Sequence, residues 1–287
     1  MLELARDLGP VHLDAIAGLE RRVVAADGGR LKLEWGTLRS RPGTRVDDVL
    51  WWDGDRLVGF LGLYSFGAPT VELAGMVDPA ARRRGVATAL IDAALPLCDA
   101  RGWSQRLLVT PRTSAGGQAL AASRGAVLDH SEHAMELRGD PAPGPEDPAI
   151  AVRPGTEADA DAVFSLLKHG FGWQPAASAR ELPASFLPQS LTVERDGEVV
   201  ATLRLEVDGD SAGVHGFVVR PDLQGRGIGR DVLRRVCRQA RARGATSVHL
   251  EVAVENDRAL GLYTSLGFER VLTEDYFALP GAQAGAV

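Results

Sequence analysis

Two six-residue runs in this chain, Arg82-Arg83-Arg84-Gly85-Val86-Ala87 and Gln224-Gly225-Arg226-Gly227-Ile228-Gly229, share the pattern Arg/Gln-x-x-Gly-x-Gly/Ala at an offset of 142 residues, Gly85 to Gly227. Each follows an apolar run ending in Val-x-Pro (Val77-Asp78-Pro79 and Val219-Arg220-Pro221) and precedes a stretch with helical spacing, residues 88–100 and 230–243. A turn between a strand and a helix N-terminus gathers unpaired backbone N–H groups around one point, which suits a pyrophosphate. Small residues there let an anion reach the amides without meeting a Cβ. Downstream of the second run, His249, Glu251 and Ala253 alternate with Leu250, Val252 and Val254, so the strand presents Glu251 on one face. A carboxylate facing a cleft there accepts a proton. Asn256 and Tyr263 follow; Asn256 suits a helix N-cap and Tyr263 an apolar helix face. At the same offset the first half carries Val109, Ser114 and Ala121, none of which ionises usefully.

The elements that must position these residues recur in parallel. Leu2-Glu3-Leu4-Ala5-Arg6 and Ile150-Ala151-Val152-Arg153 read as opening strands. Helical spacing follows over residues 11–26 and 156–169, the second with Thr156 as N-cap and Asp159 at the capping-box position. Asp53-Gly54 and Asp196-Gly197 stand between apolar runs and signal hairpins. From there the halves align without a gap: Gly85 meets Gly227, Gly102 meets Gly244 and Gly125 meets Gly267. Such regularity is the mark of duplication. Between the halves, residues 140–149 are proline-rich and lack apolar periodicity, which predicts a stiff linker. The sequence therefore divides into residues 1–139, a linker at 140–149, residues 150–280 and a mobile tail at 281–287.

Composition narrows the partners. The chain has 287 residues, 45% hydrophobic and 24% charged, as globular proteins do, and its length favours two domains. A net charge of −6 argues against nucleic acid. No apolar run nears the roughly 20 residues of a membrane span, and residues 1–7 are neither basic nor followed by a signal-type core; both point to the cytoplasm. The two cysteines, Cys98 and Cys237, occupy corresponding helices and read as packing residues. No metal-ligand spacing is present, and no metal is expected. A dinucleotide fold would want G-x-G-x-x-G and an acidic residue about 20 positions on. Gly225-x-Gly227-x-Gly229 has another spacing, and position 249 is His249.

The order of elements in each half, with Phe217-Val218-Val219-Arg220-Pro221, the run from Gln224 to Gly229, Asn256 and Leu262-Tyr263-Thr264-Ser265-Leu266-Gly267-Phe268, resembles the GCN5-related N-acetyltransferase family in tandem arrangement. The resemblance spans nearly the whole chain. It implies two mixed α/β domains, each a mixed central sheet flanked by helices, with acetyl-CoA as cosubstrate and an amine as acceptor. It implies that Phe217, Val218 and Val219 hold the pantetheine arm by their backbone. Amides of Gln224, Gly225, Arg226, Gly227, Ile228, Gly229 and Arg230 would take the pyrophosphate, and Asn256 would bond the pantetheine or cap its helix. Tyr263 would protonate the departing thiolate, with Glu251 as base, acting directly or through water. Leu250-Glu251-Val252, Asn256, Tyr263 and Ser265-Leu266-Gly267-Phe268 are similar to the ribosomal-protein alanine N-acetyltransferases. The tandem layout is similar to that of mycothiol synthases, although Ala212-Gly213-Val214-His215 lacks their acidic residue. His215 and Glu255 are further candidates for proton transfer. In the first half, Met76, Val77, Arg82, Arg83, Arg84, Gly85, Val86 and Ala87 would form a second CoA site without catalytic groups. A non-catalytic acyl-CoA sensor is the alternative from another class. Oligomeric state and the identity of the amine are not legible.

Overall fold

The computed structural model describes residues 1–67, 69–171 and 186–281. In chain order its elements are β1 (Leu2–Ala5), α1 (Pro10–Asp27), α2 (Trp35–Arg39), β2 (Asp48–Asp53), β3 (Arg56–Gly67), β4 (Thr70–Val77), α3 (Val86–Ala100), β5 (Gln105–Pro111), α4 (Ala115–Ser123) and β6 (Val127–Arg138). The second half repeats the pattern as β7 (Ile150–Pro154), α5 (Ala160–Phe171), α6 (Phe186–Gln189), β8 (Ser190–Arg195), β9 (Glu198–Asp208), β10 (Ser211–Val219), α7 (Ile228–Ala242), β11 (Ser247–Ala253), α8 (Asp257–Thr264) and β12 (Glu269–Ala278). Local chemistry explains several boundaries. Asp196 and Gly197 both take positive φ, 54° and 82°, in the two-residue turn joining β8 to β9, as a type I′ hairpin requires. Thr156 and Asp159 form the expected capping box before α5. Hydrogen bonds from Arg153, with further ones from Thr156, hold the Asp159 carboxyl well below the usual carboxylate range.

Packing divides the chain into two units, Met1–His133 with Val271 onward, and Ala134–Arg270. In unit 1, β1 to β4 form an antiparallel meander, β5 joins β4 in parallel, and β12 joins β5 antiparallel. Leu90, Ile91, Ala94 and Cys98 of α3 pack in one core with Val49, Leu61 and Leu73, and Ile16, Leu19 and Val23 of α1 in another with Phe60, Met76 and Tyr276. In unit 2, β7 to β10 repeat the meander, β11 joins β10 in parallel, and the end of β6 lies beside β11. Val232, Leu233, Val236 and Cys237 of α7 share a core with Ala212, Val214, Val248 and Leu250, and with Met135 and Leu137 of β6. Burial pushes the Cys98 and Cys237 thiols up to about 11 and about 12, which fits packing residues. Among the described residues no helix is long and apolar enough to cross a membrane.

The division differs from the sequence expectation at two places. β12, expected in the second half, completes unit 1, and residues 134–139 belong to unit 2. A closing antiparallel strand needs only a free edge with matching side chains, and duplication supplies two alike, β5 and β11. Side chains fix the outcome. Asp275 of β12 accepts from Arg112 Nη2 at 2.7 Å, Ser131 Oγ at 2.8 Å and Gln118 Nε2 at 3.0 Å, all in unit 1. Burial pushes its carboxyl up, but these bonds outweigh it and hold it below the usual range. The stretch 140–149 is not a bare spacer either. Arg234 holds the Ala142 and Pro145 carbonyls at 3.0 Å each, and Asp231 Oδ2 accepts from Asp147 N at 2.7 Å, which straps it to α7. Gly144 lets the guanidinium of Arg234 lie close against the strap, since a Cβ there would stand 2.1 Å from Nη2. The tail from residue 282 lies outside the described residues.

This arrangement predicts where damage to the last strand is felt. Tyr276 is fully buried in unit 1, and Tyr276→Ala should cost about 3–5 kcal/mol, as truncation of buried aromatics does. Hydrogen exchange should rise in β4, β5 and α1 and stay unchanged in β8 to β10. Faster exchange confined to unit 2 would overturn the assignment of β12.

Candidate active site

In unit 2 the site grows from a defect in the sheet. β10 pairs with β11 in parallel over Ser211–Gly213 and Ser247–His249, and the two strands then continue without further pairing to each other among the described residues. On its other edge β10 breaks register with β9 between His215 and Val218, where Gly216 takes φ 59°. An extra residue of this kind bends the strand and leaves backbone groups unpaired. Phe217 and Val219 side chains pack with the α7 core while Val218 packs with Val163, Leu166 and Leu167 of α5. The backbone that the resemblance assigns to pantetheine is thus anchored on both faces.

The turn after β10 follows from its glycines. Gly225 and Gly227 have φ of 79° and 86°, which side-chain-bearing residues resist, and Gly227 is the N-cap of α7. Ile228 is buried; Gln224, Gly225, Arg226, Gly227 and Arg230 are exposed. Gln224 Nε2 donates to the Val219 carbonyl at 2.9 Å and ties the turn to the strand end. Arg258 Nη1 donates to Gln224 Oε1 at 2.9 Å, and Arg230 Nε to Ser265 Oγ at 2.8 Å. Arg226, Arg230 and Arg258 add positive charge to the amides and dipole of α7. Arg258, a guanidinium on the next helix, was not among the sequence candidates, since only the fold brings it to the turn.

Tyr263 and Glu251 stand on opposite sides of β11. The Tyr263 ring lies in the core that contains Leu250 and Val252, tilted against Phe268 with centroids 5.9 Å apart. Burial pushes its phenol up to about 12, so it is protonated throughout the physiological range. Glu251 alternates onto the other face with His249, half-buried. Asn256 is the N-cap of α8, its Oδ1 accepting from Ala259 N at 3.1 Å. Further along the Glu251 face, His249 and His215 meet edge to face, centroids 6.3 Å apart. Residues 172–185, which follow Phe171, lie outside the described residues. Among the described residues no group of three His, Cys, Asp or Glu side chains is placed to hold a metal ion.

Unit 1 keeps the turn and fills the rest. Gly85 is the N-cap of α3 with φ 81°, and Arg83 takes φ 61° where unit 2 has Gly225. Arg82 Nε donates to the Val77 carbonyl at 3.2 Å, as Gln224 does to Val219, but its guanidinium also clamps Asp27 at 2.8 and 2.6 Å. Arg84 is exposed, Met76 and Val86 are buried, and Ala87 is half-buried. β4 holds continuous register with β3 from Val77 to Glu72, so it has no counterpart of the Gly216 break. Leu31, Lys32 and Leu33 line a cavity of about 10 Å³ together with Ala74 and Gly75 of β4, Val109 and Pro111 of β5, and Glu274. That is room for about one water. Lys32 Nζ donates to Tyr276 Oη at 2.5 Å and pairs with Glu72 at 3.3 Å and Glu132 at 3.7 Å. Val109 and Ala121 are buried, and Ser114 caps α4.

Residues 20–125 and 160–268 each match the model of the acetyltransferase (GNAT) family. The chain is 33% identical over 300 residues to the mycothiol acetyltransferase of Kytococcus sedentarius, covering 96% of each. Over 138 residues it is 40% identical to the N-alpha-acetyltransferase RimI of Mycobacterium tuberculosis, covering 45% of this chain and 85% of that one. The fold is also that of a GCN5-related N-acetyltransferase from Sphaerobacter thermophilus, with TM-score 0.77, 20% identity and coverage of 98% and 96%. With a bulged strand, a glycine turn at a helix N-terminus and a protonated tyrosine in one unit, and the family model matched twice along its length, this chain belongs to the acetyltransferase (GNAT) family and is an acetyl-CoA-dependent acyltransferase built as a tandem of two such domains.

Proposed function

We propose that unit 2 transfers acetyl from acetyl-CoA to a primary amine by direct attack in a ternary complex, and that unit 1 has no thioester site. The observation that carries this is the placement of Tyr263 and Glu251 on opposite faces of the strand bordering the opened sheet. An amine that attacks a thioester must lose protons on the side it enters, and the thiolate must gain one where it departs. Glu251 serves the first side and the Tyr263 phenol the second. Strand amides freed at the Gly216 break polarise the carbonyl. The turn around Gly227 takes the pyrophosphate, with Arg226, Arg230 and Arg258 beside it.

For the acceptor, a relative matched along 96% of its length is called a mycothiol acetyltransferase, and on that likeness the amine acetylated by such enzymes is the first to test. A peptide α-amine is the second reading, favoured by the higher identity to RimI over a shorter stretch. A mass-spectrometric screen of acetyl transfer over both amine types separates the two. Transfer to neither would overturn the assignment.

Unit 1 is proposed to bind no acetyl-CoA. The segment around Lys32 occupies its cleft, and Asp27 claims the guanidinium of its turn. Calorimetry should therefore give one acetyl-CoA per chain. Gly227→Glu should abolish that binding while lowering stability by only about 1–2 kcal/mol through its left-handed φ, whereas Gly85→Glu, which carries the same strain, should leave binding intact. A stoichiometry of two would restore the first-half site.

Tyr263→Phe should lower kcat by roughly 10²–10⁴-fold with acetyl-CoA affinity unchanged. Because burial raises the phenol to about 12, wild-type kcat should show no alkaline loss from this group between pH 7 and roughly 11, one unit below that value. Turnover equal to wild type in the variant would reduce Tyr263 to packing. Glu251→Gln should remove the rise of rate with pH, and an unaltered profile would take Glu251 out of the mechanism.

A further inference from the structure

Gly213 is the last residue of β10 paired with β11, and its φ is not in the left-handed region, so its backbone does not call for glycine. Glycine inside a strand costs about 0.5–1 kcal/mol relative to alanine, which asks for a reason. The reason is space. A Cβ on Gly213 would lie 2.4 Å from His215 Nε2 and 3.0 Å from His249 Nε2. The two imidazoles, from neighbouring strands, thus bring their Nε2 atoms to one spot above a residue with no side chain. His249 is oriented by Ser211, whose Oγ lies 3.2 Å from Nδ1. The spot sits where β10 and β11 part, on the Glu251 face of the sheet.

We propose that His215 and His249 together receive the proton of the acceptor's ammonium group, above Gly213, before the amine attacks. The proposal rests on the reading of unit 2 as an amine acetyltransferase. The acceptor arrives as R–NH3⁺, and one proton passes to an imidazole Nε2, leaving R–NH2. The nitrogen lone pair forms the C–N bond to the thioester carbon. As the C–S bond breaks, the thiolate takes the Tyr263 proton; the second nitrogen proton passes to Glu251 and on to solvent, from which the phenolate regains a proton. The imidazole proton goes to solvent, so the products are the amide, free CoA thiol and one H⁺. In this scheme the Nδ1–H of His249 donates to Ser211 Oγ, which leaves Nε2 as the acceptor and makes Ser211 a positioning residue.

The neighbouring elements of unit 2 carry these charged groups. Arg204 of β9 pairs across from His215, and Glu206 of β9 across from Gly213. Glu251 follows His249 along β11. From β6, Glu136 is held by Arg138 at 3.0 Å. At the end of α5, Lys168 and His169 are exposed, His169 Nδ1 donating to the Ser165 carbonyl at 2.7 Å. α7 packs on the opposite face. The carboxylates Glu206 and Glu251 give the acceptor side the negative charge a protonated amine needs.

The test is kcat/KM against pH for wild type, His215→Gln, His249→Gln, the double variant and Ser211→Ala, using an amine that the wild type acetylates. At pH 7 the double variant should lose roughly 10²-fold or more. Near pH 9.5, where much of the amine is already neutral, the loss should shrink to a few-fold, with acetyl-CoA affinity unchanged. Ser211→Ala should shift the profile in the same direction by less. A loss of equal size at every pH, or none, overturns the proposal. If the double variant fails to fold, His249→Gln alone decides on the same comparison. A wild type that acetylates no amine would instead sink the reading of unit 2, so the two failures are distinguishable.

Discussion

Backbone polar groups that leave a sheet must find partners elsewhere, and both units are built around the place where that happens. In each, a parallel pair of strands runs together for a few residues and then parts, over Ser211–Gly213 in unit 2 and Thr70–Leu73 in unit 1. An unpaired strand edge away from water carries a cost comparable to a lost hydrogen bond per group. Unit 2 deepens the opening with a bulge at Gly216 and places its ionisable side chains around it. In unit 1, Leu31, Lys32 and Leu33 line what remains of the opening. One sheet defect, resolved in two ways, separates the two halves of the duplication.

The filling in unit 1 has its own electrostatic logic. Lys32 is one of two lysines in a chain otherwise rich in arginine, and its side chain is only 9% exposed. A buried ammonium is tolerable only when paired, and here Glu72, Glu132 and the Tyr276 hydroxyl surround it. Burial pushes the Glu72 carboxyl up while Lys32 pulls it down. Tyr276, which completes this cluster, arrives on the last strand of the chain. The closure of the first unit's cleft and the exchange of the last strands are therefore coupled through one side chain.

The glycine turn of the first half has structural duties of its own. Arg82 still ties the turn to the strand end, as Gln224 does in unit 2, and Gly85 still opens α3. Those are structural duties, needed to start a helix after a strand whether or not an anion is bound. Arg83 takes φ 61° where unit 2 has Gly225, so the turn geometry is held there without a glycine, at a cost of about 1–2 kcal/mol.

Much of the protein was legible in its residues. The 142-residue repeat is visible in the sequence itself, and the Asp196-Gly197 hairpin, the Thr156 capping box and the glycine turns depend on contacts between near neighbours in the chain, which local sequence determines. Alternation along residues 247–253 placed Glu251 correctly because a strand has only two faces. Three things were decided only in three dimensions. β12 completes unit 1 because β5 and β11 are equivalent edges, and only the fit of Asp275 and Tyr276 to distant side chains distinguishes them. Residues 140–149 pack because α7 offers Asp231 and Arg234 to otherwise unsatisfied backbone groups. The convergence of His215 and His249 above Gly213 needs two strands, far apart in sequence, to lie side by side. Sequence determines the interactions a segment makes with itself; the choice among equivalent long-range partners belongs to the folded whole, where side-chain complementarity breaks the tie.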